Sequence, residues 1–256
     1  MVKQSPFLLN HLYSNYVNTV MRKILVITLS FAAVYLLLAC KKQTVPVYVP
    51  PQISPVLYKN YLALGDSYTI GQSVTAAERF PAQTINILSK DSISFNAPEY
   101  IAQTGWTTRN LISAVNTSPP SKTSYDFVTL LIGVNNQYQG RSQAEYTIEF
   151  TQLLDTAIKY AGNRTKRVAV LSIPDWGVTP FANGRDRAFI ALQIDSFNVI
   201  NKQITLAKGV NYIDITPSTR MAATDPTLVA TDGLHPSGKE YGKWAVLLAA
   251  VIKAAL

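Results

Sequence analysis

From residue 59 onward, short apolar runs alternate with longer amphipathic stretches. Tyr61-Leu62-Ala63-Leu64, Phe127 to Ile132, Val168 to Ile173 and Val210 to Ile215 read as strands buried on both faces, and Tyr100-Ile101-Ala102 before Gly105 as a weaker one. Between them the period changes. Tyr146, Phe150, Leu153, Leu154, Ala157 and Ile158 fall at steps of three and four, one stripe of a helix. Ser142 and Glu145 form a capping box at its start, and Gly162 marks its end. Tyr241, Trp244, Ala245, Leu248, Val251, Ile252 and Ala255 repeat that stripe to the C-terminus. Strands alternating with helices predict an α/β domain with a parallel sheet covered on both faces.

The N-terminal pattern is different. Ile24 to Ala39 carry no charge, follow Met21-Arg22-Lys23 and end at Cys40. The run is shorter than the roughly 20 residues of a spanning helix and matches a secretory leader, with a short uncleaved membrane anchor as the alternative. Leu37-Leu38-Ala39-Cys40 looks like a bacterial lipobox, in which the cysteine is acylated and becomes the mature N-terminus. Cys40 is the only cysteine, which excludes a disulfide within the chain. Residues 1–39 are expected to be a signal peptide of lipoprotein type, with Met21, which opens a conventional leader, as its suspected true start. Residues 40–58 follow as a lipidated cysteine and tether containing Pro46, Pro50, Pro51 and Pro55. Residues 59–256 form one domain. The expected location is exported and membrane-anchored, facing the periplasm or cell surface.

Charge excludes one class of partner. Removing residues 1–39 takes away Lys3, Arg22 and Lys23 and no acids, so the net charge falls from +8 to +5. The remaining cations are scattered, which leaves no nucleic-acid footprint. No cysteine pair or histidine cluster offers a metal site, and neither a P-loop nor a dinucleotide fingerprint is present. The chemistry expected needs no cofactor.

Once the leader is set aside with His11, one histidine remains, in Asp232-Gly233-Leu234-His235, and the other outstanding string is Gly65-Asp66-Ser67. A serine hydroxyl is a weak nucleophile at neutral pH and needs a base to take its proton and return it to the leaving group. Imidazole, with an unperturbed pKa of about 6.5, does both. An aspartate can hold the ring in the right tautomer, and Asp232 is the nearest candidate. Asp66 adjoins the serine, but adjacent side chains on an extended segment point apart, so it is assigned to stabilising the turn. In open parallel sheets, ligands bind beyond the carboxyl ends of the strands, where Ser67, Gly105 and Asn135 all fall.

Four blocks in order resemble the SGNH hydrolases, the GDSL esterases and lipases: Gly65-Asp66-Ser67-Tyr68 with Gly71, Thr104-Gly105-Trp106, Gly133-Val134-Asn135-Asn136, and Asp232-Gly233-Leu234-His235-Pro236. The resemblance implies a flavodoxin-like three-layer α/β/α fold with five parallel strands. It also implies a serine esterase that cleaves acyl esters through an acyl-enzyme, with Ser67 as nucleophile, His235 as base and Asp232 as orienting acid. The oxyanion hole would combine the amides of Ser67 and Gly105 with the Asn135 side chain. The family's third block usually ends in aspartate, and Asn136 departs from it, which puts the local hydrogen bonding in question.

Trp106 and Trp176 follow predicted strands and are expected at the site's rim, lining an acyl or sugar pocket, with local packing as the alternative. Two other functions compete with a lipase-like esterase. One is a carbohydrate O-acetyl esterase acting on polysaccharide or cell wall, since the same triad serves both. The other is a non-catalytic lipoprotein holding a glycan or lipid in the same cleft.

Overall fold

The computed structural model of the chain describes residues 6–39 and 57–256. Cys40 and the proline-rich tether as far as residue 56, with the lipidation expected there, lie outside the described residues. Two compact units separate at Ser54 and Pro55. The first holds helix α1 (Pro6–Ala39), in which Thr19, Thr28 and Ser30 turn their hydroxyls back onto carbonyls four residues earlier. Among the described residues no helix is long and apolar enough to cross a membrane.

The second unit is built on five parallel strands: β1 (Tyr61–Asp66), β2 (Glu99–Gln103), β3 (Phe127–Leu131), β4 (Val168–Leu171) and β5 (Asn211–Ile213), in the order β2-β1-β3-β4-β5. This is the expected flavodoxin-like arrangement. β1 and β3 are buried along their whole length, which is why both read as unbroken apolar runs. β2 lies at an edge and is only partly buried, which accounts for its weak signal.

Two predicted strands end early for identifiable reasons. β4 stops at Leu171 because the Ser172 hydroxyl accepts from the amides of Ile215 and Thr216, and the chain then leaves the ladder. β5 stops at Ile213 because helix α8 (Thr216–Arg220) begins at once, with Pro217 in its first turn.

Parallel strands need crossover connections, and these place helices on both faces. Helix α3 (Phe80–Ser89), between β1 and β2, packs against the C-terminal helix α9 (Gly238–Ala255). Helices α4 (Thr108–Thr117), α6 (Gln143–Tyr160) and α7 (Arg187–Ala207) pack in a row, covering the other face. The predicted stripe of α6 is its core face, since Tyr146, Phe150, Leu153, Leu154 and Ala157 are all buried, each large apolar side chain contributing about 1.5–3 kcal/mol. Only half of the predicted capping box forms. Ser142 Oγ accepts from the Glu145 amide at 3.1 Å, but the Glu145 carboxylate turns away to Arg109. Gly162 follows the helix at φ +67°, as a C-terminal glycine should.

Sheet order fixes where a ligand can bind. The order reverses between β1 and β3, and their register sets Gly65 beside Leu131, so the loops after both strands open onto one crevice.

Candidate active site

Ser67 begins the four-residue helix α2 (Ser67–Ile70) directly after β1 and is buried. Two neighbours force that turn. A Cβ on Gly65 would lie 2.1 Å from Thr69 Oγ1 and 2.4 Å from the Leu131 carbonyl, so only glycine lets the short helix fold back against β3. Asp66 caps the helix, accepting from the Tyr68 amide at 3.0 Å, which is the turn-stabilising role expected of it. Burial pushes the Asp66 carboxyl up to about 7, against the opposing pull of the Tyr68 amide.

His235 sits on the loop entering α9, 6% exposed. Its Nδ1 lies 2.6 Å from Asp232 Oδ2. That contact places the proton on Nδ1 and leaves Nε2 as the nitrogen with a free lone pair. Asp232 is itself held firmly: Oδ1 accepts from the amides of Leu234 and His235, and Oδ2 from the Ser73 hydroxyl at 2.6 Å. Partial burial pushes the Asp232 carboxyl up, but the hydrogen bonds from Ser73, Leu234 and His235 outweigh it and hold the group at about 2. The acid beside the histidine therefore stays charged at neutral pH.

Gly105 ends the turn after β2 with φ +81°, a conformation that glycine adopts freely. Gln139 Nε2 reaches its carbonyl at 3.4 Å, and the adjacent Thr104 hydroxyl donates to Gln72 at 2.7 Å, so the loop is pinned on both sides. Asn135 stands in helix α5 (Val134–Tyr138) after β3 and donates through Nδ2 to the Trp106 carbonyl at 3.0 Å. A carbonyl can only accept, so this contact fixes which way the amide points; the second Nδ2 hydrogen remains available.

These residues meet around one cavity. Ser67, Gly105, Asn135 and His235 all line a space of about 150 Å³, together with Tyr138, Trp176 and Phe181. Ser67 and His235 share its wall without being hydrogen-bonded to each other. In an unliganded hydrolase such a bond commonly tightens only when substrate binds.

The two tryptophans part company. Trp176 is buried on the wall of this cavity and donates through Nε1 to Gln137 Oε1 at 2.8 Å. Trp106 instead lines a separate cavity of about 580 Å³ beside β2 and α4 and packs against the core. The ring is only partly buried there and does not line the Ser67 cavity. Only its backbone carbonyl reaches the site, through Asn135.

Asn136 resolves the question its block raised. It is fully buried, its Oδ1 accepts from the Thr108 amide at 3.0 Å and its Nδ2 donates to the Thr108 hydroxyl at 2.7 Å. That hydroxyl spends its own proton on Glu149. A carboxylate at 136 would leave the Thr108 oxygen without its donor and set a second negative charge beside Glu149. Asparagine is the residue this network requires.

Sequence patterns did not pick out Ser73, Tyr138 or Phe181. Tyr138 was within reach of them, standing three residues after Asn135 on one helix. Ser73 lies in a turn and Phe181 in a short 3-10 helix (Pro180–Ala182), and their place against Asp232 and the cavity comes from the fold alone.

The family profile of GDSL-like lipases and acylhydrolases matches residues 63–242. The chain belongs to that family. It is an ester-bond hydrolase. Solved structures resemble it: a lipase/acylhydrolase from Enterococcus faecalis is 18% identical, with TM-score 0.61 over 77% of this chain and 96% of that one. An acetylxylan esterase from Geobacillus stearothermophilus is also 18% identical, with TM-score 0.58 over 76% of this chain and 94% of its own. An α/β hydrolase from the metagenome of Lake Arreo, Spain, is 15% identical, with TM-score 0.56 over 79% of this chain and 100% of its own. No curated protein matches the chain in sequence.

Proposed function

We propose that this hydrolase is a serine esterase cleaving short acyl esters through an acyl-enzyme. Ser67 attacks the ester carbonyl. His235 Nε2 takes the hydroxyl proton and returns it to the departing alcohol, while charged Asp232 stabilises the imidazolium. The amides of Ser67 and Gly105 and the free hydrogen of Asn135 receive the developing oxyanion. Water, activated by the same histidine, then releases the acid. The observation that carries this reading is the meeting of Ser67, Gly105, Asn135 and His235 on one cavity wall, with His235 already oriented by Asp232.

Cavity size supports a short acyl group, because about 150 Å³ is small for a ligand pocket. That feature also favours the second reading, a carbohydrate O-acetyl esterase, as does the fold shared with an acetylxylan esterase. The chain is further proposed to be exported and tethered through acylated Cys40, on the strength of the lipobox-like string. Replacing Ser67 with alanine should abolish turnover of a small aryl ester and block labelling by a fluorophosphonate; retained turnover sinks the assignment. A series of acyl lengths and acetylated sugars separates the two readings.

A further inference from the structure

Arg185 packs on three of the aromatic residues that line the Ser67 cavity. Its guanidinium carbon lies 5.4 Å from the ring centroid of Tyr138, 5.3 Å from that of Trp176 and 5.4 Å from that of Phe181. All three rings line the cavity that holds Ser67 and His235. The rings also pack on one another, with centroids 5.4–6.2 Å apart, so the cation rests on a preformed aromatic wall. Contact with the rings restricts the guanidinium without neutralising it.

Its neighbours do the structural work of this loop. Arg187 donates to the Asn183 side chain at 2.8 Å and to the Thr179 carbonyl at 3.3 Å. Asp186 caps α7 through the Phe189 amide. The Phe181 amide donates to the Gly233 carbonyl at 2.9 Å, tying the aromatic wall to the histidine loop. Arg185, by contrast, is exposed, forms no ion pair among the described residues, and its guanidinium makes only a long 3.4 Å hydrogen bond, to the Tyr138 hydroxyl. A restrained guanidinium offering unused donors beside an esterase cavity suits a planar anion, which it can grip with two parallel hydrogen bonds.

We propose that Arg185 is a specificity residue that binds a carboxylate carried by the ester substrate. The proposal rests on the esterase reading above. The carboxylate could stand on the acyl side, as in a succinyl half-ester, or on the alcohol side, as in an esterified uronic or hydroxybenzoic acid. The domain's net positive charge assists by raising the local concentration of anionic esters.

The test compares kcat/KM for neutral 4-nitrophenyl acetate with two anionic esters, 4-nitrophenyl hemisuccinate and 4-acetoxybenzoate, in the full-length protein. Arg185→Ala and Arg185→Met should each lower the anionic-to-neutral ratio for one of the two anionic esters by about ten- to a hundredfold, chiefly through KM. The ester affected identifies the side that carries the carboxylate. Arg185→Lys should keep part of the preference, and added salt should shrink it in the wild type. The proposal is overturned if the ratio is unchanged, or if it falls in the alanine variant but survives in methionine, because the stem's packing would then matter and not the charge. It is also overturned if the wild type hydrolyses the neutral ester and neither anionic one. Failure of the esterase reading looks different: neutral-ester turnover is then absent, or persists in Ser67→Ala.

Discussion

Two aspartates flank the proposed reaction, and the fold treats them oppositely. Asp66 follows Gly65 at the buried end of β1 and is pushed up to about 7, whereas Asp232 in the histidine loop is held at about 2. Asp66 is 1% exposed and its main help is one amide donor; the Asp232 side chain is 29% exposed and receives hydrogen bonds from Ser73, Leu234 and His235. Burial without enough donors raises a carboxyl, and donors in a half-open loop lower it. Only the second environment keeps a negative charge beside an imidazole as it becomes imidazolium. Sequence adjacency to Ser67 points to Asp66, and the surroundings point to Asp232.

The largest effect should come from neutralising the charged member of the pair. Asp232→Asn should lower kcat for a small aryl ester by about 10⁴ at neutral pH, since an amide can hold the ring in the wrong tautomer. A loss below tenfold would mean that Asp232 does not orient the base. Loss of one oxyanion donor comes next: Asn135→Ala should cost about 10² to 10³ in kcat with little change in KM.

Stability should separate the two regions as well. Gly65→Ala drives a methyl into Thr69 and the Leu131 carbonyl and should destabilise by about 1–3 kcal/mol in denaturant unfolding. Gly105→Ala meets no atom within 4 Å, and its cost should be confined to about 1–2 kcal/mol of backbone strain at φ +81°.

The pH dependence of the two aspartates should have opposite signs. Asp66 has a folded-state pKa of about 7 against an ordinary 3.8. Between about pH 4 and 7 the folded protein therefore holds a proton that the unfolded chain has released, and stability falls as pH rises. Asp66→Asn keeps an acceptor for the Tyr68 amide and removes this titration. Its Tm relative to wild type should accordingly climb from pH 4 to pH 8. Asp232, held at about 2, contributes stability that is present above about pH 4 and lost as pH falls towards 2. The Tm deficit of Asp232→Asn should shrink over that acidic range, and a parallel pH course for the two variants would break the comparison. The smallest effect belongs to Ser73→Ala, which removes one of several donors to Asp232 and should lower kcat only a fewfold at neutral pH.

Much of this was legible before any coordinates. β1 and β3 are buried on both faces and announce themselves as apolar runs, and α6 and α9 carry unbroken stripes. Helix α7 is less visible because its buried face includes Asn201 and Thr205, which interrupt the apolar period. Those polar groups are buried only because the fold supplies partners: Asn201 Nδ2 donates to the Tyr146 hydroxyl at 3.2 Å, and Thr205 bonds back to the Asn201 carbonyl. The divergence of Trp106 and Trp176 had no sequence signal either, since both simply follow predicted strands.

By itself the amino-acid order determined the parallel α/β architecture, the four motif blocks and the candidacy of Ser67, Asp232 and His235. Each of these depends on residue type and on spacing along one element, which local periodicity and turn chemistry express directly. Only the tertiary structure decided which aspartate is raised and which is lowered, which tryptophan faces the cavity, why position 136 is asparagine, and that Arg185 rests on three aromatic rings beside it. Those outcomes depend on desolvation and on partners distant in sequence, and both arise only when the strands pair and the loops close over them.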